Sequence, residues 1–237
     1  MRIVPVSKRH HYTPRYYLKR FENDSGKMWR LDRENGDVAS GNNERFGFKN
    51  RWNTLRNPPS GYEPDWAEKQ IASIDGYASK VITEILDGQF PEDIRPLALA
   101  ISFMHHNQPR LMRELQAKHA EEVELWSDDY WLVVKLRTAL DNWQPYVPLY
   151  YAVNVIEPNS DARFLTSSNP LIEFTNKPTM LLPLSSKHCL FLSHDPAHQS
   201  MRPIFTVPSL ETVTGINRMT TKNAWQYVYS CTPSFVE

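Results

Sequence analysis

The apolar residues of this chain recur at helical spacing as far as residue 141 and then switch to alternation near residue 145, a change that sets the fold class. Ile71, Ile74, Ala78, Val81, Ile82 and Ile85 mark a helix that Gly88 ends, and Asp65 with Glu68 three positions on is a capping-box pattern at its start. A second helix is predicted from Asp93, with Pro96 in its first turn and Leu97, Ala98, Ile101 and Met104 buried, up to a break at Pro109. The pattern restarts as a helix through Arg113 and Trp126, and residues 128–141 make another. Beyond them Val147, Leu149, Tyr151, Val153 and Val155 alternate as a strand does. Short apolar pieces at 163–166, 171–174, 179–184 and 189–193, each bounded by Pro, Asn or Ser, suit an antiparallel meander; 209–219 is helical again and 227–230 a final strand. The expected class is α+β, with central helices over residues 65–141 packed with a C-terminal, largely antiparallel sheet.

Ahead of the helices lies a basic segment. Residues 1–57 hold thirteen Lys or Arg against six Asp or Glu, and residues 58–237 hold fourteen against twenty-one, so the neutral total conceals a dipolar chain. Tyr12, Tyr16, Tyr17, Phe21, Trp29, Phe46, Phe48 and Trp52 are interleaved with the cations, a composition that holds phosphates and stacks bases. Packing of the basic segment on the acidic remainder of the same chain is the alternative. Within it, Tyr12, Tyr16, Tyr17, Leu18 and Phe21 fit a short helix with Pro14 in its first turn, which puts His11 just ahead of the helix; residues 22–62 suit a hairpin and then a loop.

With 237 residues, 41% hydrophobic and 23% charged, the chain has the composition of a globular protein. No repeat or low-complexity linker divides it, so a single domain over residues 1–237 is expected, with a basic part at 1–62, a helical part at 63–143 and a strand-rich part at 144–237. Cys189 and Cys231 make no disulfide framework, Met1 to His11 lacks the apolar core of a secretory signal, and Leu97 to Met104 is too short to cross a bilayer. The expectation is a cytoplasmic protein that does not enter membranes.

Gly-rich phosphate loops, a nucleophile elbow, His-Glu-x-x-His and Cys-x-x-Cys are all missing, so no cofactor and no metal is expected. His194 and His198 have the spacing of helical metal ligands, but Asp195-Pro196 between them marks an N-cap and a first helical residue, which puts His194 outside the helix. His188 and Cys189, neighbours on a strand, face opposite ways. Histidine pairs occur at His10-His11 and His105-His106. Two imidazoles supply the general base and general acid of metal-free RNA cleavage; otherwise they are polar positions satisfied by backbone or water. Thr166-Ser167-Ser168-Asn169-Pro170 is a turn whose hydroxyls and amides suit an anion, or only its own backbone.

The stretch His11-Tyr12-Thr13-Pro14-Arg15-Tyr16-Tyr17-Leu18-Lys19-Arg20-Phe21 resembles the opening motif, His-Tyr-x-Pro to Leu-x-x-Phe, of the bacterial and phage family known as domain of unknown function 4238. Thr166 to Pro170 is similar to that family's Thr-Ser-Asp-Asn-Pro turn, Pro183-Leu184-Ser185 to its Pro-Leu-Ser element, and Asn217, Ala224 and Tyr229-Ser230 to its closing Asn and aromatic strand. The chain departs from the pattern at Asn107-Gln108-Pro109, where the family often has Arg-Thr-Pro, and at Ser168, where it has Asp. A catalytic Arg or carboxylate at either place would be missing here. The resemblance implies a set of candidate positions and, from its bacterial and phage occurrence, a role in host–virus conflict.

Two classes of function follow. In the first the protein is a metal-independent ribonuclease, or acts otherwise on RNA or a nucleotide: His11 moves the proton, Arg15 stabilises the phosphorane, Tyr12, Tyr16 and Lys19 bind, and Ser167, Ser168, Asn169 and Asn217 position the phosphate. In the second the same residues form a non-catalytic module for a protein partner. The oligomeric state is open under both. A third alternative has the N-terminal motif stitching its segment onto the C-terminal sheet.

Overall fold

The computed structural model describes residues 9–50, 53–107, 109–118, 127–174, 177–199 and 201–235. Trp52, Gln108 and Trp126 lie outside them. In chain order the elements are β1 (Arg9–His11), α1 (Arg15–Leu18) with a 3-10 turn Lys19–Phe21, β2 (Met28–Asp32), β3 (Val38–Gly41), β4 (Phe48–Asn50), α2 (Trp66–Leu86), α3 (Arg95–His106), α4 (Pro109–Lys118), α5 (Asp128–Asp141), β5 (Tyr150–Val155), β6 (Thr166–Ser167), β7 (Ile172–Glu173), β8 (Thr179–Pro183), β9 (His188–Ser193), β10 (Ile204–Thr206), α6 (Leu210–Asn223) and β11 (Tyr227–Ser230). This is the α+β class expected from the shift in period.

The helices form where the apolar spacing puts them. Ile71, Ile74, Ala78, Val81, Ile82 and Ile85 are all buried along α2, and Leu97, Ala98, Ile101 and Met104 along α3. Pro109 separates α3 from α4 because it opens the second helix, where its missing N–H costs nothing. The capping box fails. Asp65 precedes α2 without a side-chain cap and pairs with Lys69 at 3.2 Å, while Glu68 turns away to His10 Nδ1 at 3.2 Å and the Asn53 amide at 3.5 Å. A tertiary partner has taken the carboxylate from the local motif.

Among the described residues the strands divide into three sheets. β1 and β4 pair as an antiparallel ribbon; β10, β5, β9, β8 and β7 form a sheet in that order; and β3, β2, β11 and β6 form another. The expected meander is present as β5-β9-β8-β7, with β10 added parallel to β5. The 163–166 piece does not join it. Thr166 and Ser167 pair with Tyr229 and Val228 of β11, which pairs in turn with the N-terminal hairpin β2-β3.

The main core draws on every part of the chain: Tyr17, Leu18, Phe21 and Met28 meet Ile82, Ile85, Leu97 and Ile101 of the helices and Val153, Leu182, Leu190 and Tyr229 of the sheets. Burial of each such side chain is worth roughly 1.5–3 kcal/mol. A second cluster, with Leu55, Ile71, Phe103 and Leu132, lies among the helices, and a third joins Ile156, Phe164 and Cys189 to Val213 and Ile216 of α6. No described helix is long and apolar enough to cross a membrane.

Candidate functional site

The N-terminal motif is built around Gly47. Its carbonyl accepts the amides of Tyr12 and Thr13 at 2.9 and 3.2 Å, at a φ of 68° that favours glycine, and a Cβ there would sit 2.7 Å from Leu18. The chain then turns into α1, where the Pro14 carbonyl accepts the amides of Tyr17 and Leu18. Tyr17 is fully buried; its hydroxyl lies 2.7 Å from that of Thr166 and 2.5 Å from the Pro183 carbonyl it donates to. Arg20 donates to Ser79 and Thr83 of α2, with its guanidinium over the Tyr16 ring, and its own carbonyl accepts from Ser186. The motif thus ties the N-terminal segment to the helices and to both large sheets.

The described residues of the N-terminal motif singled out in the sequence each have a definite place. His11 lies on β1 opposite Phe48, their rings 5.7 Å apart and tilted. Tyr12 is buried, interacts with the Tyr229 hydroxyl, and is pushed up to about 12 by that burial. Arg15 is exposed and paired with Glu44, and Lys19 is exposed. Tyr16 is held well above the usual tyrosine range by burial and then by the charge of Asp75.

The Thr166 to Pro170 turn uses its polar atoms on the fold. Ser167 and Ser168 are fully buried: the Ser167 hydroxyl bonds to Asn169 backbone, and the Ser168 hydroxyl accepts the amides of Gln226 and Tyr227 at 3.2 Å each. Asn169 and Asn223 each donate a side-chain amide to the other's carbonyl. Asn217 accepts from Leu165 N at 2.9 Å and donates to Arg163 O at 2.8 Å. Buried polar groups must be paired, and these are paired inward. Of the two readings of this turn, an anion holder or one that bonds to backbone, the bonds seen are of the second kind, and they clamp the segment between α6 and β11.

That clamped segment carries Trp225, and cations gather on it. Arg113 of α4 lies over the indole with its guanidinium carbon 4.3 Å from the ring centroid, and the Lys49 ammonium of β4 is 5.7 Å from the same ring. Burial lowers the Lys49 pKa, and the nearby Arg113 charge lowers it further. Behind them Lys135 of α5 is buried and donates to Asn107 Oδ1 at 2.7 Å; burial, then the charge of Lys49, pulls it down to about 7. Asn107 stands where the resemblance leads one to expect Arg. In the β1-β4 register Lys49 lies opposite His10 and Phe48 opposite His11, so Lys49 and His11 belong to opposite faces of the ribbon.

One residue back, the end of α3 carries a second cluster. His106 places Nδ1 at 2.8 Å from the Ser102 carbonyl, which sets the proton on Nδ1 and leaves Nε2 with its lone pair. The His105 ring lies 5.1 Å from that of His106 and 6.1 Å from that of Tyr146, centroid to centroid. Glu173 of the edge strand β7 acts electrostatically on both His106 and Tyr146. Burial lowers the His106 pKa against the opposing pull of Ser102 and Glu173, and burial followed by the charge of Glu173 raises Tyr146 to about 12. Neutral imidazole and protonated phenol therefore coexist near neutral pH.

Among the described residues no group of three or more His, Cys, Asp or Glu is placed to hold a metal ion. Near His194, Asp195 caps the short turn Pro196–His198 by accepting from Ala197 N, and His198 bonds to Ser193. Lys49, Arg113, Lys135, Trp225, Tyr146 and Glu173 were not legible as a site, because they come from separate elements and share no spacing. The His105-His106 pair and the departure at Asn107 were the sequence signals that pointed to this end of α3.

Fold and clusters together define an α+β protein with a cation-flanked indole beside one helix end and an imidazole pair on that end. The chain belongs to the family described as Protein of unknown function (DUF4238), whose model matches residues 9–234. No curated protein and no solved structure matches it.

Proposed function

We propose that the protein binds RNA or a nucleotide at Trp225, Lys49 and Arg113, with Lys135 behind them. The observation that carries this is the pair of cations set over one indole, Arg113 at 4.3 Å and Lys49 at 5.7 Å. The Arg113 charge acts against protonation of Lys49, a bound polyanion favours the charged form of both, and the aromatic and guanidinium planes offer surfaces for a base. Arg113 adds a planar fork matched to phosphate oxygens. A cytoplasmic setting and a role in conflict between bacteria and phages fit such a ligand and belong to the same proposal.

The test is fluorescence anisotropy of a labelled single-stranded RNA of mixed sequence across a salt series. Binding should weaken steeply with salt, and the slope of log K against log salt should fall by roughly one for Lys49→Ala and again for Arg113→Ala. Binding that ignores salt, or that both variants leave intact, overturns the proposal. A protein partner is the second reading, favoured by the edge strand β10 and its flanks, where Ile204, Val207 and Leu210 are 47, 67 and 70% exposed.

A further inference from the structure

We infer that His105 and His106, flanked by Tyr146 and Glu173, form an acid–base site that cleaves RNA by attack of its own 2′-hydroxyl on the adjacent phosphate. The inference rests on the RNA proposal above and assigns the chemistry to residues outside the N-terminal motif. Three separate elements supply the groups: both imidazoles from the end of α3, the phenol from the turn Gln144–Tyr146, and the carboxylate from β7. Among the described residues, His106 Nε2 and both ring nitrogens of His105 bond to no protein group, so they are available to a substrate. All three of His105, His106 and Glu173 retain solvent access.

The tautomer assigns the roles. Because the Ser102 carbonyl holds the Nδ1 proton of His106, the Nε2 lone pair accepts the proton of the 2′-hydroxyl. The 2′-oxygen then bonds to phosphorus, and the bond from phosphorus to the 5′-oxygen breaks. Its electron pair leaves with that oxygen, which takes a proton from His105 in its protonated form. The products are a 2′,3′-cyclic phosphate and a 5′-hydroxyl; no water, oxidant or metal is consumed, and the two imidazoles exchange their gained and lost protons with solvent. Glu173 favours the imidazolium that forms on His106, and the Tyr146 hydroxyl, which keeps its proton, is a donor for the phosphate oxygens.

The experiment incubates the full chain with the labelled single-stranded RNA in the presence of a chelator, follows cleavage on a denaturing gel, and measures anisotropy on the same samples. Wild type should yield cyclic-phosphate ends, a fully 2′-O-methylated copy of the RNA should be bound and left uncut, and His106→Ala should lose cleavage by about 100-fold or more while binding stays unchanged. His106→Asn retains an amide donor toward Ser102 and, with circular dichroism, separates loss of chemistry from loss of fold; it should be as inactive as the alanine variant. His105→Ala should slow cleavage while leaving RNA binding unchanged, because the departing 5′-oxygen loses its proton donor. If wild type binds the RNA but leaves it intact, or if the His105→Ala/His106→Ala double variant still cuts, this inference is overturned while the binding proposal stands. If wild type does not bind the RNA, both fall together.

Discussion

Tyr17 and Thr166, 149 positions apart, share a buried hydrogen bond of 2.7 Å between their hydroxyls. The same tyrosine donates to the Pro183 carbonyl at 2.5 Å, so one phenol joins the N-terminal helix to a strand from each of the two larger sheets. Desolvation holds that phenol protonated and well above the usual tyrosine range. The motif His11 to Phe21 is therefore the junction of the fold, and its aromatic residues are mostly spent on packing.

Replacing Tyr17 with Phe keeps the ring and removes both bonds. An unpaired buried carbonyl costs about 1–3 kcal/mol, so Tyr17→Phe should lower stability by about that amount. Urea titration followed by tryptophan fluorescence measures it; an unchanged midpoint at constant slope contradicts the junction role. RNA binding in buffer should be unaffected.

Asp75 sits on α2 with its Oδ1 buried and, among the described residues, without a hydrogen-bond partner for that atom, and burial, reinforced by the charge of Glu68, raises its carboxyl to about 7. The folded form then holds a proton up to a higher pH than the unfolded form does, which releases it near the ordinary aspartate value of 3.8. Between those values the folded state binds more protons, so this group costs stability progressively as the pH rises and costs most above about pH 7. Asp75→Asn should raise the melting temperature at about pH 8 and change it little at about pH 4. Equal shifts at both values would show that the carboxyl is ionised throughout.

Asn217 offers a way to separate framework from ligand contact. Asn217→Ala leaves the Leu165 amide and the Arg163 carbonyl unpaired, at about 1–3 kcal/mol for each such group that water cannot reach. A fall in melting temperature with RNA affinity intact in the folded protein is expected. A variant of full stability and lost affinity would return Asn217 to the binding role expected from sequence.

The helices were legible because their information is local: the spacing of Ile71 to Ile85 and of Leu97 to Met104 predicts the buried faces that the structure has, and Pro109 and Ser209 mark helix starts where they stand. Glu68 shows the limit of a local motif, since His10 and Asn53 drew its carboxylate away from the helix end. Sheet membership was decided elsewhere. Nothing in Thr166-Ser167 distinguishes a meander strand from a partner of β11, because the two choices differ only in which distant strand is met.

By itself the sequence determined the class α+β, the four long helical segments seen among residues 65–141, the membership in a family and the positions of its motifs. The tertiary structure alone decided what those motifs do. Ser167, Ser168 and Asn217 bond inward, Tyr17 bridges sheets, Lys49 and Arg113 gather on Trp225, and His105 lies beside His106 and Tyr146. The physical reason is range: periodicity and capping act over a few residues, whereas desolvation, charge and the pairing of buried polar atoms depend on neighbours that only folding brings together.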